Sequence, residues 1–148
     1  MKLNRYFIDT SSLFKRYIIE SGTEKIDALF EEGARYTISN IAVVEFISNL
    51  KRLTDVDKVI DSDTYNLIKK ELFNDIGAGT IEVINITSDE IIAAIELIDI
   101  KHITPIDSIQ LAFVINLNKI EQNAVFVCSD KKLCNIAENY KIKVLEIN

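Results

Sequence analysis

Short apolar runs alternate along the chain with longer segments in which apolar residues recur every three or four positions. The short runs are typical of buried strands, and the longer segments have the spacing of helices with one buried face. The apolar runs predict strands over residues 6–8, 36–38, 81–86, 124–128 and 142–147. Helices are predicted in every interval between them, for example over residues 41–53 and 133–140. Ser11 and Ser12 are good N-cap residues for the first helix.

The regular alternation of strands and helices predicts the fold class. Parallel strands need a crossover connection, which is usually a helix, so this pattern indicates a parallel sheet with helices on both faces. The strand over residues 124–128 is almost wholly apolar, as expected for a central parallel strand. We therefore predict an α/β fold with a mainly parallel central sheet, in a single domain over residues 1–148.

Composition narrows the possible functions. No apolar run approaches the ~18 residues that a membrane span requires, so we expect a cytoplasmic protein without membrane contact. The net charge of −6 argues against broad binding to a nucleic-acid backbone, although a local basic rim around an acidic site is compatible with it. Cys128 and Cys134 match no disulfide or metal-binding spacing, and we expect reduced thiols. His102, the only histidine, is expected at the surface rather than in a catalytic triad.

Four acidic residues stand out by their positions. Asp9 and Asp130 each follow an apolar strand, Asp107 lies in the first turn of a predicted helix, and Glu45 is surrounded by apolar neighbours. Each also has an ordinary structural explanation as a turn residue, a helix cap or a solvent-facing side chain. Strand ends and the helix starts that follow them share one edge of a parallel sheet, so the four carboxylates can converge.

Clustered carboxylates repel one another unless a cation lies among them. A set of Asp and Glu oxygens without His or Cys suits hard ions, which here predicts Mg²⁺ or Mn²⁺. Such ions can activate water and stabilise both oxygens of a phosphoryl displacement. Lysine or arginine pairs follow Asp9, Glu45 and Asp130 in the chain, although a similar pair at residues 69–70 has no acid beside it.

Four segments containing these acids resemble, in order, the motifs of PIN-domain ribonucleases, especially VapC-type toxins. The segments are residues 6–13 with Lys15, residues 39–45, residues 105–112 and residues 127–133. The resemblance implies a three-layer α/β/α sandwich and a Mg²⁺- or Mn²⁺-dependent endoribonuclease that acts on RNA and leaves a 5′-phosphate. It suggests Asp9, Glu45, Asp107 and Asp130 as catalytic metal ligands.

The same resemblance implies auxiliary roles and partners. Ser11, and less directly Ser129, would be auxiliary polar groups at the site. The protein would be a homodimer that a small antitoxin holds inactive. The acid-rich link over residues 55–63 receives no role from the resemblance.

Other functions stay open at this point. A phosphatase of the haloacid-dehalogenase type needs a second Asp two residues after the first, and Ser11 occupies that position. A signalling receiver domain needs an acid pair near the first strand, where only Asp9 is present. A stand-alone PIN nuclease in RNA processing, or a non-catalytic protein-binding module with this fold, remains an alternative to a toxin.

Overall fold

The computed structural model describes residues 3–121 and 123–148, which form a five-stranded sheet with helices on both faces. The strands are β1 (Arg5–Ile8), β2 (Arg35–Ser39), β3 (Glu82–Ile84), β4 (Ala124–Cys128) and β5 (Lys143–Glu146). The helices are α1 (Thr10–Tyr17), α2 (Thr23–Phe30), α3 (Asn40–Asp55), α4 (Ser62–Gly77), α5 (Ser88–Ile100), α6 (Pro105–Ile120) and α7 (Lys131–Asn139). Among these helices, none is both long and apolar enough to cross a membrane.

The sheet has the strand order β3-β2-β1-β4-β5, and every pairing is parallel. The chain builds the sheet outwards from β1 through β2 to β3, then returns to place β4 on the other side of β1. Between β1 and β4 the direction of winding therefore reverses, and crevices at such points are where open α/β sheets bind ligands. Asp9 directly follows β1, and Asp130 lies two residues after the end of β4.

Two hydrophobic clusters cover the two faces of the sheet. In β1, Phe7 points into the cluster shared with α5, α6 and α7, where its ring stacks on Phe113 at 4.9 Å between centroids. Its neighbours Tyr6 and Ile8 point into the opposite cluster, which includes Phe46 of α3. The alternation of side chains along a strand thus places helices on both faces. The predicted three-layer α/β/α sandwich is confirmed, with a sheet that is wholly parallel.

The element boundaries show where local sequence signals were misleading. Asp9, rather than Ser11 or Ser12, is the N-cap of α1, because its Oδ1 accepts a hydrogen bond from the Ser12 backbone N–H at 2.9 Å. The predicted N-caps therefore lie inside the helix. The acid-rich link gains one structural role, because Asp61 is the N-cap of α4 and accepts a hydrogen bond from the Thr64 N–H at 2.8 Å.

Candidate acidic active site

Four carboxylates line one cavity of about 160 Å³ at the carboxyl edge of the sheet. They come from Asp9 after β1, Glu45 on α3, Asp107 in the first turn of α6, and Asp130 after β4. Ser11 also lines the cavity, together with Thr10, Asn49 and Gln110. The structure therefore brings together all four acids and the serine that the sequence singled out, although their chemical roles stay predictions.

Asp9 is the most enclosed of these acids, with 5% of its surface exposed. Its backbone N–H donates to the Val127 carbonyl at 3.0 Å, which fixes it between β1 and β4. Oδ2 accepts a hydrogen bond from the Ser11 hydroxyl at 3.0 Å, so Ser11 orients this carboxylate. Burial raises the pKa of Asp9, and hydrogen bonds from Ser12 and Ser11 oppose that rise. Because each carboxylate oxygen has two lone pairs, Asp9 can cap α1 and still bind a cation.

The half-buried acids Glu45 and Asp107 also have raised pKa values. Desolvation is the main cause for both. The charges of Asp107 and Asp9 raise the pKa of Glu45 further, whereas a hydrogen bond from Thr10 lowers it. The charge of Asp130 raises the pKa of Asp107, whereas Thr104 and Lys132 lower it. The acids thus interact with one another across the cavity.

Asp130 is exposed at the rim and caps α7. Its Oδ1 accepts hydrogen bonds from the Lys132 N–H at 2.9 Å and from the Leu133 N–H at 3.4 Å. Ser129 does not line the cavity; its hydroxyl shares a hydrogen bond of 2.7 Å with the Ser12 hydroxyl. This bond links the segment after β4 to α1. Ser129 therefore helps to position Asp130 relative to α1 without lining the cavity.

Gln110 is a residue of the site that the sequence interpretation missed. Its side chain is buried, with 2% exposed, and its Nε2 donates to the Thr10 hydroxyl at 3.3 Å. The Ser39 hydroxyl donates to Gln110 Oε1 at 3.1 Å. These bonds join α6, which carries Asp107, to α1, which follows Asp9, and to the start of α3, which carries Glu45. A polar residue within an otherwise apolar helical face, three positions after Asp107, was the available signal.

The donor chemistry of the cavity fits Mg²⁺ or Mn²⁺. Its ionisable ligands are carboxylates, accompanied by hydroxyl and amide oxygens, and hard divalent ions prefer oxygen ligands. The charges of Asp107 and Asp9 raise the pKa of Glu45, and a bound cation would offset this effect. Across the described part of the chain, no three Asp, Glu, His or Cys side chains are gathered into a ready metal-binding set. The four carboxylates therefore line one cavity, but they are not gathered closely enough to form a ready metal site.

The remaining sequence predictions concern His102 and the two cysteines. His102 is exposed, as expected, and lies in the link between α5 and α6. Cys128 and Cys134 are free and buried, in agreement with reduced thiols. Burial is the largest cause that raises the pKa of both thiols, which keeps them protonated and unreactive.

Comparisons with known proteins identify the fold. Several solved structures resemble this chain at low sequence identity. VapBC2 from Rickettsia felis, solved bound to a DNA fragment from the promoter, is 16% identical, with a TM-score of 0.64, over 97% of this chain and 99% of that chain. A domain of a functionally unknown protein from Methanocaldococcus jannaschii is 18% identical with a TM-score of 0.54, over 98% and 91%. PAE2754 from Pyrobaculum aerophilum is 13% identical with a TM-score of 0.60, over 93% and 90%.

These identities support similarity of fold alone, and comparison with curated proteins finds no match. The family model of the PIN domain matches residues 6–139, which include all four acids of the cavity. The resemblance seen in the four sequence motifs is thereby confirmed at the level of the family. The chain belongs to the PIN domain family.

Proposed function

We propose that this protein is a divalent-metal-dependent endoribonuclease, the toxin of a toxin–antitoxin pair. The observation that carries the proposal is the convergence of Asp9, Glu45, Asp107 and Asp130 on one cavity where the winding of the sheet reverses. PIN domains are generally nucleases, and a site made only of oxygen ligands suits phosphodiester hydrolysis with Mg²⁺ or Mn²⁺. The fold shared with VapBC2 supports the toxin assignment.

Each acid has a role in the proposed reaction that follows from its place. Asp9 and Asp107 would be the principal metal ligands, and Glu45 and Asp130 would place a second ion or the attacking water. A bound divalent ion supplies positive charge that activates water and neutralises the phosphate. Glu45 is half-buried, and burial raises its pKa, which makes its carboxylate a stronger proton acceptor for water. Ser11 holds Asp9 in orientation through its hydroxyl.

The proposal includes partners and location. A homodimer, a small antitoxin and a cytoplasmic location are all carried over from the motif resemblance, and the similar fold of VapBC2 supports the antitoxin. Light scattering tests the dimer directly, because the chain of 16.8 kDa would give a particle of twice that mass. Association with a small protein encoded beside it would separate a toxin from a stand-alone RNA-processing nuclease.

The deciding experiment is cleavage of RNA by the purified protein with and without Mg²⁺ or Mn²⁺. We expect metal-dependent cleavage that leaves a 5′-phosphate, and a loss of at least about 100-fold in Asp9→Asn, because several kcal/mol of charge stabilisation disappear with one principal ligand. Asp61→Asn is the matched control: Asp61 is also an N-cap with the same hydrogen bond, and it lies outside the cavity. Asn preserves the capping function in both variants.

Two outcomes would contradict the proposal. The first is that no divalent metal supports cleavage of any RNA, and the second is that Asp9→Asn cleaves as well as the parent. Calorimetric titration with Mn²⁺ then distinguishes what remains. A protein that binds no Mn²⁺ and cleaves no RNA would be a protein-binding module with the PIN fold.

A further inference from the structure

A second cavity, of about 170 Å³, adjoins the acidic one and shares Asp107 and Asp130 with it. Its other walls differ in character from the acidic cavity. Lys132, His102 and Thr104 provide polar groups, and Ile103, Leu133 and Ile136 provide an apolar floor. The acidic cavity and this cavity, which has a cation and an apolar floor, therefore lie side by side at Asp107 and Asp130.

We infer that this second cavity, which we call the flanking subsite, binds the nucleotide next to the scissile phosphate of single-stranded RNA. The inference rests on the proposed nuclease function, because the shared acids Asp107 and Asp130 mark where cleavage would occur. In it, the base lies on the apolar floor and a backbone phosphate meets the ammonium group of Lys132.

The apolar floor is the first support for this assignment. Ile103 and Leu133 are core residues whose edges reach the cavity, and Ile136 is half-buried beside them. Apolar surface in a cleft with polar walls suits the flat face of a base, because every base has an apolar π-face and polar edges. The exposed imidazole of His102 lies at the same cavity and can stack on a base, as aromatic side chains do in RNA-binding proteins.

The charge of Lys132 is the second support. Its side chain lines the cavity together with Asp107 and Asp130. The chain has a net charge of −6, and the acidic cavity repels a phosphate. The ammonium group of Lys132 gives the phosphate a favourable partner beside the two carboxylates. Lys131 precedes it on the same helix and is not part of the cavity wall. Position in the cleft, rather than membership of a basic pair, distinguishes Lys132.

The apolar floor of the subsite favours an unpaired nucleotide. A base inside a duplex keeps both faces stacked and cannot lie on a protein surface, whereas a base in a single-stranded loop can be splayed out. A fully paired duplex should therefore bind the flanking subsite poorly.

Binding of fluorescent single-stranded RNA tests the role of Lys132, measured by anisotropy with Mg²⁺ in the Asp9→Asn background so that the RNA stays intact. We expect Lys132→Ala to weaken binding about tenfold and to reduce the salt slope by about one ion. Lys131→Ala is the matched control and should bind within about twofold of the parent. Equal losses in the two variants, or no binding of RNA by the parent, would overturn the inference.

Removal of the base tests the apolar floor separately. Once the cleavage site is mapped, RNAs with an abasic nucleotide on either side of it are compared with the intact RNA. We expect one abasic position to weaken binding about tenfold, and His102→Ala to remove much of that difference. Abasic RNAs that bind as well as intact RNA would contradict the inference.

The two proposals fail in different ways. Metal-dependent cleavage in which Lys132→Ala and Lys131→Ala behave alike would leave the nuclease function standing and remove only the subsite. RNA binding that depends on Lys132 in a protein that never cleaves would contradict the nuclease function, and it would leave the second cavity as an RNA-binding site without a cleavage site beside it.

Discussion

At the scale of single residues, Asp9 combines a capping role with a position in the wall of the acidic cavity. It is the N-cap of α1, with an extended backbone (φ −73°, ψ 163°), and it is also a wall of the acidic cavity. The cap fixes the carboxylate through the Ser12 N–H, and Ser11 fixes its second oxygen. A capping role is therefore no argument against metal binding, because these hydrogen bonds also orient the carboxylate of Asp9 towards the cavity wall that it forms.

The buried carboxylate makes stability depend on pH in a definite direction. Burial raises the pKa of Asp9 in the folded protein above its ordinary 3.8. Its stabilising contribution is therefore fully present below about pH 3.8 and is lost as the pH rises through the folded pKa. In EDTA, we expect the melting temperature of the parent to fall relative to Asp9→Asn by a few degrees between about pH 4 and pH 8.

The control for this measurement has the opposite sign. A hydrogen bond from Thr64 lowers the pKa of Asp61 in the folded protein, so its contribution is present at neutral pH and is lost on acidification. The parent should therefore gain relative to Asp61→Asn only as the pH rises up to about 4, and between about pH 5 and pH 8 the difference between the two should stay constant. If Asp9→Asn and Asp61→Asn follow the same trend with pH, the raised pKa of Asp9 is not what governs stability.

At the scale of helices and strands, the positions of the acids depend on local signals that a sequence carries well. Asp9, Asp130 and Asp107 all lie at helix N-termini, where the helix dipole favours ionised carboxylates and partly offsets burial. The wrong assignment of the N-cap to Ser11 or Ser12 has a simple cause. Asp and Ser are nearly equal as N-caps, and only the backbone dihedrals decide between neighbours.

The contacts that position these helices could not be predicted in the same way. Gln110 binds the Thr10 hydroxyl across one hundred residues of sequence. The pattern of α6 indicates that this position is buried, but not which polar group meets it, because partners distant in sequence are set by how the helices pack. The convergence of the acids was predictable from the sheet edge that they share. The buried hydrogen bonds of Gln110, which join three helices, were not.

An ion network around one buried arginine lies at the opposite edge of the sheet. Arg5 of β1 binds Glu82 of β3 at 2.6 Å and Glu121 after α6 at 2.8 Å, and donates to the Thr37 hydroxyl of β2 at 3.1 Å. Arg35 binds the same two glutamates from the outside, at 3.1 and 3.3 Å. The two arginines therefore share partners and differ mainly in burial, with 7% and 42% of their side chains exposed.

That difference predicts unequal effects on stability. Arg5→Leu should lower the free energy of unfolding by about 3 kcal/mol, because it removes a buried charge from two carboxylates and leaves a buried hydroxyl without its donor. Arg35→Leu should cost less than about 1 kcal/mol, since solvent screens exposed pairs. Urea denaturation of both variants checks this. Equal losses would show that the buried arginine is not what joins these strands.

At the scale of the whole molecule, the sheet explains why four short motifs can form one site. The sequence predicts parallel strands, and parallel strands align their carboxyl ends, so acids that follow those ends share one edge of the sheet. The strand order was beyond the sequence, because pairing depends on side chains far apart, such as Phe7 of β1 opposite Phe126 of β4. That order puts Asp9 and Asp130 on neighbouring strands.

The overall charge predicts how RNA binding should depend on salt. A protein of net charge −6 cannot attract RNA through a broad positive surface, so few phosphates should be neutralised when the RNA binds. In the Asp9→Asn background with fixed Mg²⁺, we expect log Kd against log KCl to have a slope of about 1 to 2, near 0.7 for each contacted phosphate of a single strand.

A steep slope would give a different picture of the bound RNA. The exposed Lys70 on α4 belongs to a basic pair with no acid of the cavity beside it, and Lys70→Ala is expected to leave the slope unchanged. A slope of about 4 or more, or a shallower slope in Lys70→Ala, would mean that RNA runs along α4 rather than being held mainly in the cleft. A shallow slope that Lys70→Ala does not alter would confine the phosphate contacts to the edge of the sheet where the acids and Lys132 lie.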